Sequence, residues 1–466
     1  MNINRLIFPG FWFGKSRKED ALEMARRGAG GFCIYGGTRE SVGELIADLK
    51  AASPLKHVFM CADYEDGLGR WIEGTDWVLS NLAVGANGTE EAAYQKGLTL
   101  AREAKSVGIE WVFAPVLDLC DEPQNPIVNT RSFGADPHAA GRLGAALCRG
   151  LHDGGVLNSI KHFPGHGRTK TDSHLALPVL HQSLRELKQN ELIPFREALP
   201  YADSVMAGHL LFEAVDKDHP ASFSRAVITD LLKREMGFEK LVFTDALCMK
   251  ALGDEKQAAL AALHAGVHIL LAAEDSVALS DFLQTQTLPE NCVSVSAQLL
   301  DQAECSLSAT SKTGLSAAEF NARYAASCAV WQGRPPALKK GQSIAYMELG
   351  NEENFAAQDF LNTLKEAGIH IKKAGETADA LAAVSFSNYK AFKGHINLSD
   401  TQRAQLAHHA AQYPQSMFIS FGSPFGAENI PSLTARLLLF SPSKEAQICA
   451  ANILLGKEKA KGKMPA

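Results

Sequence analysis

Before residue 280 the chain carries eight short apolar runs separated by stretches of helical periodicity. The runs are 6–8, 31–35, 58–63, 111–118, 159–163, 204–209, 241–245 and 267–271. Most are apolar without polar alternation, which marks strands covered on both faces, as in a parallel sheet. Helical pattern falls at 16–27, 41–52, 90–107, 138–153, 183–199, 224–236 and 254–265, while 164–182 reads as loop. Eight β units alternating with helices predict a (β/α)8 TIM-type barrel.

From about residue 280 the pattern changes. Residues 290–338 read as helical and connecting segments. A second α/β series then follows, with strands expected at 343–347, 380–386, 417–421 and 436–440, and helices at 353–367, 399–413 and 444–455. The expected fold class is therefore α/β. A barrel domain covers 1–335, including a helical linker from about 280, and a smaller α/β sandwich domain covers 336–466. The lysine-rich segment 457–463 reads as a solvated end.

Composition narrows the partners. Lys plus Arg number 46 and Asp plus Glu 52, a net charge of −6, which argues against nucleic acid or an anionic membrane surface as the main partner. No apolar run reaches the roughly 20 residues a membrane span needs, and the first residues lack the apolar region of a secretory signal. The nine cysteines are scattered with no CxxC pair. Reduced thiols in a cytoplasmic enzyme fit that spacing better than a disulfide framework or a structural zinc site.

Barrel enzymes carry their functional groups at the C-terminal ends of the strands. Here those ends hold Asp63, Asp118, Lys161, His162, His209 and Asp245. The densest segment is Lys161-His-Phe-Pro-Gly-His-Gly-Arg-Thr-Lys-Thr-Asp-Ser-His174. Its Pro and Gly residues exclude a regular helix, which removes the zinc-binding geometry that His162 and His166 would have one turn apart. Asp172 and His174 form a different kind of pair. A carboxylate two residues from an imidazole can accept the Nδ1 proton and leave Nε2 to exchange a proton with a reacting group.

Asp245 closes the seventh run, as a helix N-cap or as a nucleophile. Cys61-Ala-Asp-Tyr-Glu-Asp-Gly-Leu-Gly-Arg70 gathers three acids and an Arg at a strand end, either as a local ion-paired turn or with Asp63 facing ligand. Arg131 lies in Asn129-Thr-Arg-Ser-Phe-Gly134, where it can bind hydroxyl or carbonyl oxygens. Asp118 and His209 are each placed either to orient a neighbour or to touch substrate.

Together these segments resemble glycoside hydrolase family 3, in its β-N-acetylhexosaminidase branch of the peptidoglycan-recycling type. The resemblance runs in order over about residues 1–275. It includes Phe113-Ala-Pro-Val-Leu-Asp118, Arg131-Ser-Phe-Gly134, Lys161-His-Phe-Pro-Gly-His-Gly167 with Asp172-Ser-His174, Pro220-Ala-Ser-Phe-Ser224 and Val242-Phe-Thr-Asp-Ala-Leu247. The resemblance implies Asp245 as nucleophile and His174 as acid/base with Asp172 as its partner. It implies Asp63, Arg131, Lys161 and His162 as holders of the sugar, and Arg70, Asp118 and His209 stand as further candidates. The family pattern Asp-x-Glu-Gly-Gly-x-Val-x-Arg is shortened here to Asp63-Tyr-Glu-Asp-Gly-Leu-Gly-Arg70, so the Arg falls one position early.

The expected activity is hydrolysis of terminal β-N-acetylglucosamine from peptidoglycan- or chitin-derived fragments, through a glycosyl-Asp intermediate and with no cofactor or metal. An imidazole acid/base carries no negative charge to repel phosphate, so a phosphorylase is the nearest alternative. A metal-dependent hydrolase using His162, His166 and His174, and a sugar-binding protein without catalysis, are the readings from other classes.

Overall fold

The computed structural model describes residues 2–169, 177–249, 252–307, 311–333, 338–350, 355–389 and 393–465. Seven parallel strands form one curled sheet. In chain order they are Gly10–Trp12, Gly31–Tyr35, Phe59–Ala62, Trp111–Val112, Leu157–Phe163, Ser204–Ala207 and Leu241–Thr244. The first strand is interrupted at Pro9, and its leading piece, Ile7–Phe8, pairs with Leu270–Leu271. A bridge from Phe243 to Ile269 ties that last strand to the seventh, so the ring closes with eight members.

The barrel is narrow enough to be filled by its own side chains. Trp111 packs edge-on against Phe8, Phe59 and Phe243, at centroid distances of 6.4, 5.2 and 5.0 Å. This aromatic plug leaves the C-terminal end as the place where a ligand can enter. The surrounding helices start at the caps the sequence supplies, Thr38, Thr89, Asp136 and Asp254, each of which accepts a main-chain N–H.

Several expected elements differ in detail. The fourth strand is regular only over Trp111–Val112; beyond it Pro115 has no N–H to donate, and pairing resumes as a single bridge from Val116 to Lys161. The single helix expected at 183–199 is two, Leu184–Gln189 and Leu192–Ala198, with Asn190 leaving helical dihedrals between them. The segment Ala226–Glu235 is wound as a π-helix, and its apolar residues Val227, Ile228, Leu231 and Leu232 are buried all the same.

The second sheet has six strands in the order Val330–Gly333, Ala435–Leu438, Ser416–Ser420, Ala380–Ser385, Ser343–Leu349, His370–Lys373. All neighbours are parallel except the Val330–Gly333 pairing. Side chains alternate as the pleat requires. Ala380, Ala382 and Val384 share a core with Phe360 and Leu364, whereas Leu381 packs with Ala410 and Ala383 with Leu406. Helix Lys444–Leu454 belongs to the same core as Phe320 and Tyr324 of helix Ala317–Cys328, so the apolar interior is continuous between the two parts.

The lysine-rich end is not a free solvated tail. The amides of Lys461, Gly462 and Lys463 donate to Ala326, Ala329 and Ala86 carbonyls, at 3.0, 2.9 and 2.9 Å. Main-chain pairing overrides the charge pattern there, because alternate lysines can point outward while the backbone docks.

Candidate active site

The loop after the third strand turns through Gly67, whose φ of +75° suits glycine. That turn brings Asp63 and Glu65 against the end of the fifth strand. Lys161 Nζ lies 2.6 Å from Asp63 Oδ1 and 2.5 Å from Glu65 Oε1. Arg131 grips Glu65 with two bonds, Nε to Oε2 at 2.8 Å and Nη2 to Oε1 at 2.7 Å. Lys161, Glu65 and Arg131 are all buried. Charges in such a place persist only when paired.

Burial opposes the Glu65 charge, but the Arg131 and Lys161 cations outweigh it and hold the carboxyl well below its ordinary range. The same balance raises Lys161: burial disfavours its ammonium, and the Asp63 and Glu65 carboxylates win. Both groups are therefore ionised at neutral pH.

A deeper layer fixes this cluster. Asn81 donates to the Arg131 carbonyl at 2.8 Å and accepts from Lys96 Nζ at 2.8 Å. Lys96 also reaches Asp66 Oδ1 at 3.1 Å, and the pair is buried. Burial pushes the Asp66 carboxyl up and the Lys96 ammonium down, against their mutual attraction. Asp66 stands where the resembled pattern has glycine, so the shortened loop is tied inward by an ion pair.

The fifth strand's end is set by Asp118. His162 Nδ1 is 2.6 Å from Asp118 Oδ2, and the main-chain N–H of His166 donates to Oδ1 at 2.7 Å. Although burial would raise the Asp118 carboxyl, the His162 and His166 contacts lower it. An ionised Asp118 fixes the His162 proton on Nδ1 and turns Nε2 toward Arg131, 3.4 Å from Nη2. His166 is buried, and burial pushes its imidazole down to about 4, so it is neutral at ordinary pH.

One open cleft of about 1610 Å³ is lined by Asp63, Glu65, Arg70, Arg131, Lys161, His162 and Asp245. Its aromatic wall has the Trp12 and Tyr35 rings stacked at 4.6 Å, with Trp71 against Tyr35 at 5.1 Å. Trp71 Nε1 donates to the Asp63 carbonyl at 2.9 Å. Asp245 follows the seventh strand, where its Oδ1 accepts from the Ala246 N–H at 2.8 Å. A cleft with one carboxylate facing a ring of donors and acceptors, bordered by aromatic faces, suits a polyhydroxylated ring.

His209 and Asp118, each placed by the sequence either to orient a neighbour or to touch substrate, stand behind the cleft wall. His209 is buried with Nδ1 2.7 Å from Ser222 Oγ and Nε2 3.1 Å from the Ala246 carbonyl, so it supports the Asp245 turn. Asp118 is buried beneath His162. Neither lines the cleft, because each is consumed by its neighbours. Asp172 and His174 lie outside the described residues. Among the described residues no group of three or more His, Cys, Asp or Glu side chains is gathered as a metal ion requires.

Glu65 and Tyr389 were not singled out in the sequence. Glu65 had a signal, being one of three acids in its loop. Tyr389, from the second domain, lines the same cleft and had none.

Residues 3–302 match the family model described as the glycosyl hydrolase family 3 N-terminal domain. A β-hexosaminidase of Pseudomonas aeruginosa is 34% identical over 265 residues, covering 55% of this chain and 79% of the relative. One from Neisseria meningitidis is 36% identical over 260 residues, covering 53% and 71%. Among solved structures, a family 3 β-N-acetylglucosaminidase from Paenibacillus superposes with a TM-score of 0.86 at 26% identity, covering 100% of this chain and 98% of its own. A β-glucoside phosphorylase shares the fold, with a TM-score of 0.88 at 21% identity, covering 100% of this chain and 92% of its own. With its barrel, its sandwich and these relatives, the chain belongs to glycosyl hydrolase family 3 and is a glycosidase.

Proposed function

We propose that this glycosidase is a retaining β-N-acetylhexosaminidase that removes terminal β-N-acetylglucosamine from small peptidoglycan- or chitin-derived saccharides. The observation that carries the reading is the shared cleft. Asp245 and the Asp63, Arg131, Lys161 and His162 cluster line one cavity, in a chain whose relatives are β-hexosaminidases.

In this reading the Asp245 carboxylate attacks the anomeric carbon. The bond to the leaving oxygen breaks, and that oxygen takes a proton from the His174 imidazolium. Water then attacks the glycosyl-Asp245 ester and returns a proton to His174, releasing the sugar and the carboxylate. Asp172 keeps the His174 tautomer and favours the imidazolium. Lys161 and Arg131 donate to sugar hydroxyls, Asp63 accepts from them, and Asp118 acts through His162. Arg70 borders the same cleft.

An imidazole with an ordinary pKa of about 6.5 serves as acid and base near neutrality without tuning. The nine free thiols fit a cytoplasmic setting. No helix among the described residues is long and apolar enough to cross a membrane.

The deciding measurement is turnover of aryl β-N-acetylglucosaminide against aryl β-glucoside, each with and without phosphate. The expected result is a clear preference for the acetamido sugar and free sugar as product in both buffers. A sugar 1-phosphate made in the presence of phosphate would replace hydrolysis by phosphorolysis. His174→Ala should cost about 100- to 10,000-fold on a natural disaccharide and much less on an aryl glycoside whose leaving group needs no proton. Equal losses on both substrates would remove His174 from the acid role.

A further inference from the structure

The C-terminal ends of the sandwich strands face the mouth of the barrel. Ser423, just past Ser416–Ser420, accepts a hydrogen bond from Asn129 Nδ2 at 3.0 Å. Tyr389 follows Ala380–Ser385 and is 8% exposed. Its ring centroid lies 3.6 Å from the Arg70 guanidinium carbon and 4.8 Å from that of Arg131. The Tyr389 carbonyl accepts from Arg70 Nη2 at 3.1 Å. Burial holds the Tyr389 hydroxyl in its neutral form.

The two arginines differ in what else holds them. Arg131 has Glu65. Arg70 has no carboxylate within ion-pair distance among the described residues, and its Nη1 is buried without a hydrogen-bond partner. The guanidinium instead lies against the Tyr389 face, with the Trp71 and Trp77 rings at 5.8 and 5.9 Å. A π face stabilises a cation without using up its N–H donors, whereas a carboxylate would take two of them. Such packing keeps Arg70 fixed at the cleft with its Nη1 donors unspent.

We propose that Tyr389, carried by the second domain, is a positioning residue of the active site: its ring sets Arg70 and Arg131 at the cleft, so the barrel alone does not make the complete sugar site. The proposal rests on the glycosidase reading above and adds to it that sugar affinity depends on the sandwich domain.

The test uses the full chain and the aryl glycoside that the unmutated enzyme turns over best, so a different sugar preference does not disturb it. Tyr389→Ala should raise KM about tenfold with kcat within about threefold, and Tyr389→Phe, which keeps the stacked face, should restore most of the affinity. A folded Tyr389→Ala with unchanged KM overturns the proposal, and so does a Phe variant as weak as the Ala one. Should Tyr389→Ala fail to fold, Arg70→Lys keeps the charge and loses the planar stack. It should show the same KM rise, and an unchanged KM there overturns the proposal as well.

Discussion

Asp245→Ala is expected to lower turnover by roughly four to six orders of magnitude, the scale seen when a covalent nucleophile is removed. The loss should be equal on an aryl glycoside and on a disaccharide. A nucleophile is needed whatever leaves, while an acid is needed only when the leaving oxygen is basic. The two catalytic variants therefore separate by substrate: His174→Ala discriminates between leaving groups and Asp245→Ala does not. The substitution removes the bond that Asp245 Oδ1 accepts from the Ala246 amide. Asp245→Asn, which can keep that bond, should be as inactive. A slow fluorosugar substrate should leave a glycosyl ester that peptide mapping finds on Asp245. Residual activity above about one per cent of the unmutated rate, or a label on another residue, would refute the assignment.

The barrel was legible because its strands are buried on both faces. A run such as Gly31–Tyr35 has every residue buried, so it needs no polar alternation and stands out as a block. The sandwich's central strands were legible for the same reason. Its edge strands were not. His370–Lys373 is half exposed and has one neighbour, so three of its four residues are polar. Val330–Gly333 is an edge strand too, and pairs antiparallel at the far side.

The site divides in a similar way. Asp63, Lys161, His162 and Asp245 all line the cleft, and each stands at or close to the end of an apolar strand. Asp118 and His209 share that position and yet stand behind the cleft wall. Whether a strand-end residue faces ligand depends on which neighbours bind it first, and those neighbours, Ser222 for His209 and His162 for Asp118, come from elsewhere in the chain. Tyr389 is some 320 residues from Arg70 (319 by position) and follows no motif. Only the docking of the two domains brings it to the cleft.

The second large effect is expected at Glu65. Glu65→Gln leaves the buried Arg131 guanidinium without its carboxylate and Lys161 with Asp63 alone. Breaking one side of a buried pair costs about 3–5 kcal/mol, because the remaining charge has been taken from water. A urea or thermal melt at pH 7 should show that loss. kcat/KM should fall at least about 100-fold, since Arg131 and Lys161 lose the group that aims them.

The pH dependence has a definite sign. Folding holds the Glu65 carboxyl well below its unfolded value of about 4.3. Between those two values the unfolded chain binds the extra proton. The stabilisation is therefore complete above the unfolded value and is drained as pH falls toward the folded one. The gap between the unmutated protein and Glu65→Gln should be full at pH 7 and narrow steadily below about pH 4. Equal stabilities at pH 7, or a gap that widens in acid, would show that Glu65 is not the anion holding the cluster together.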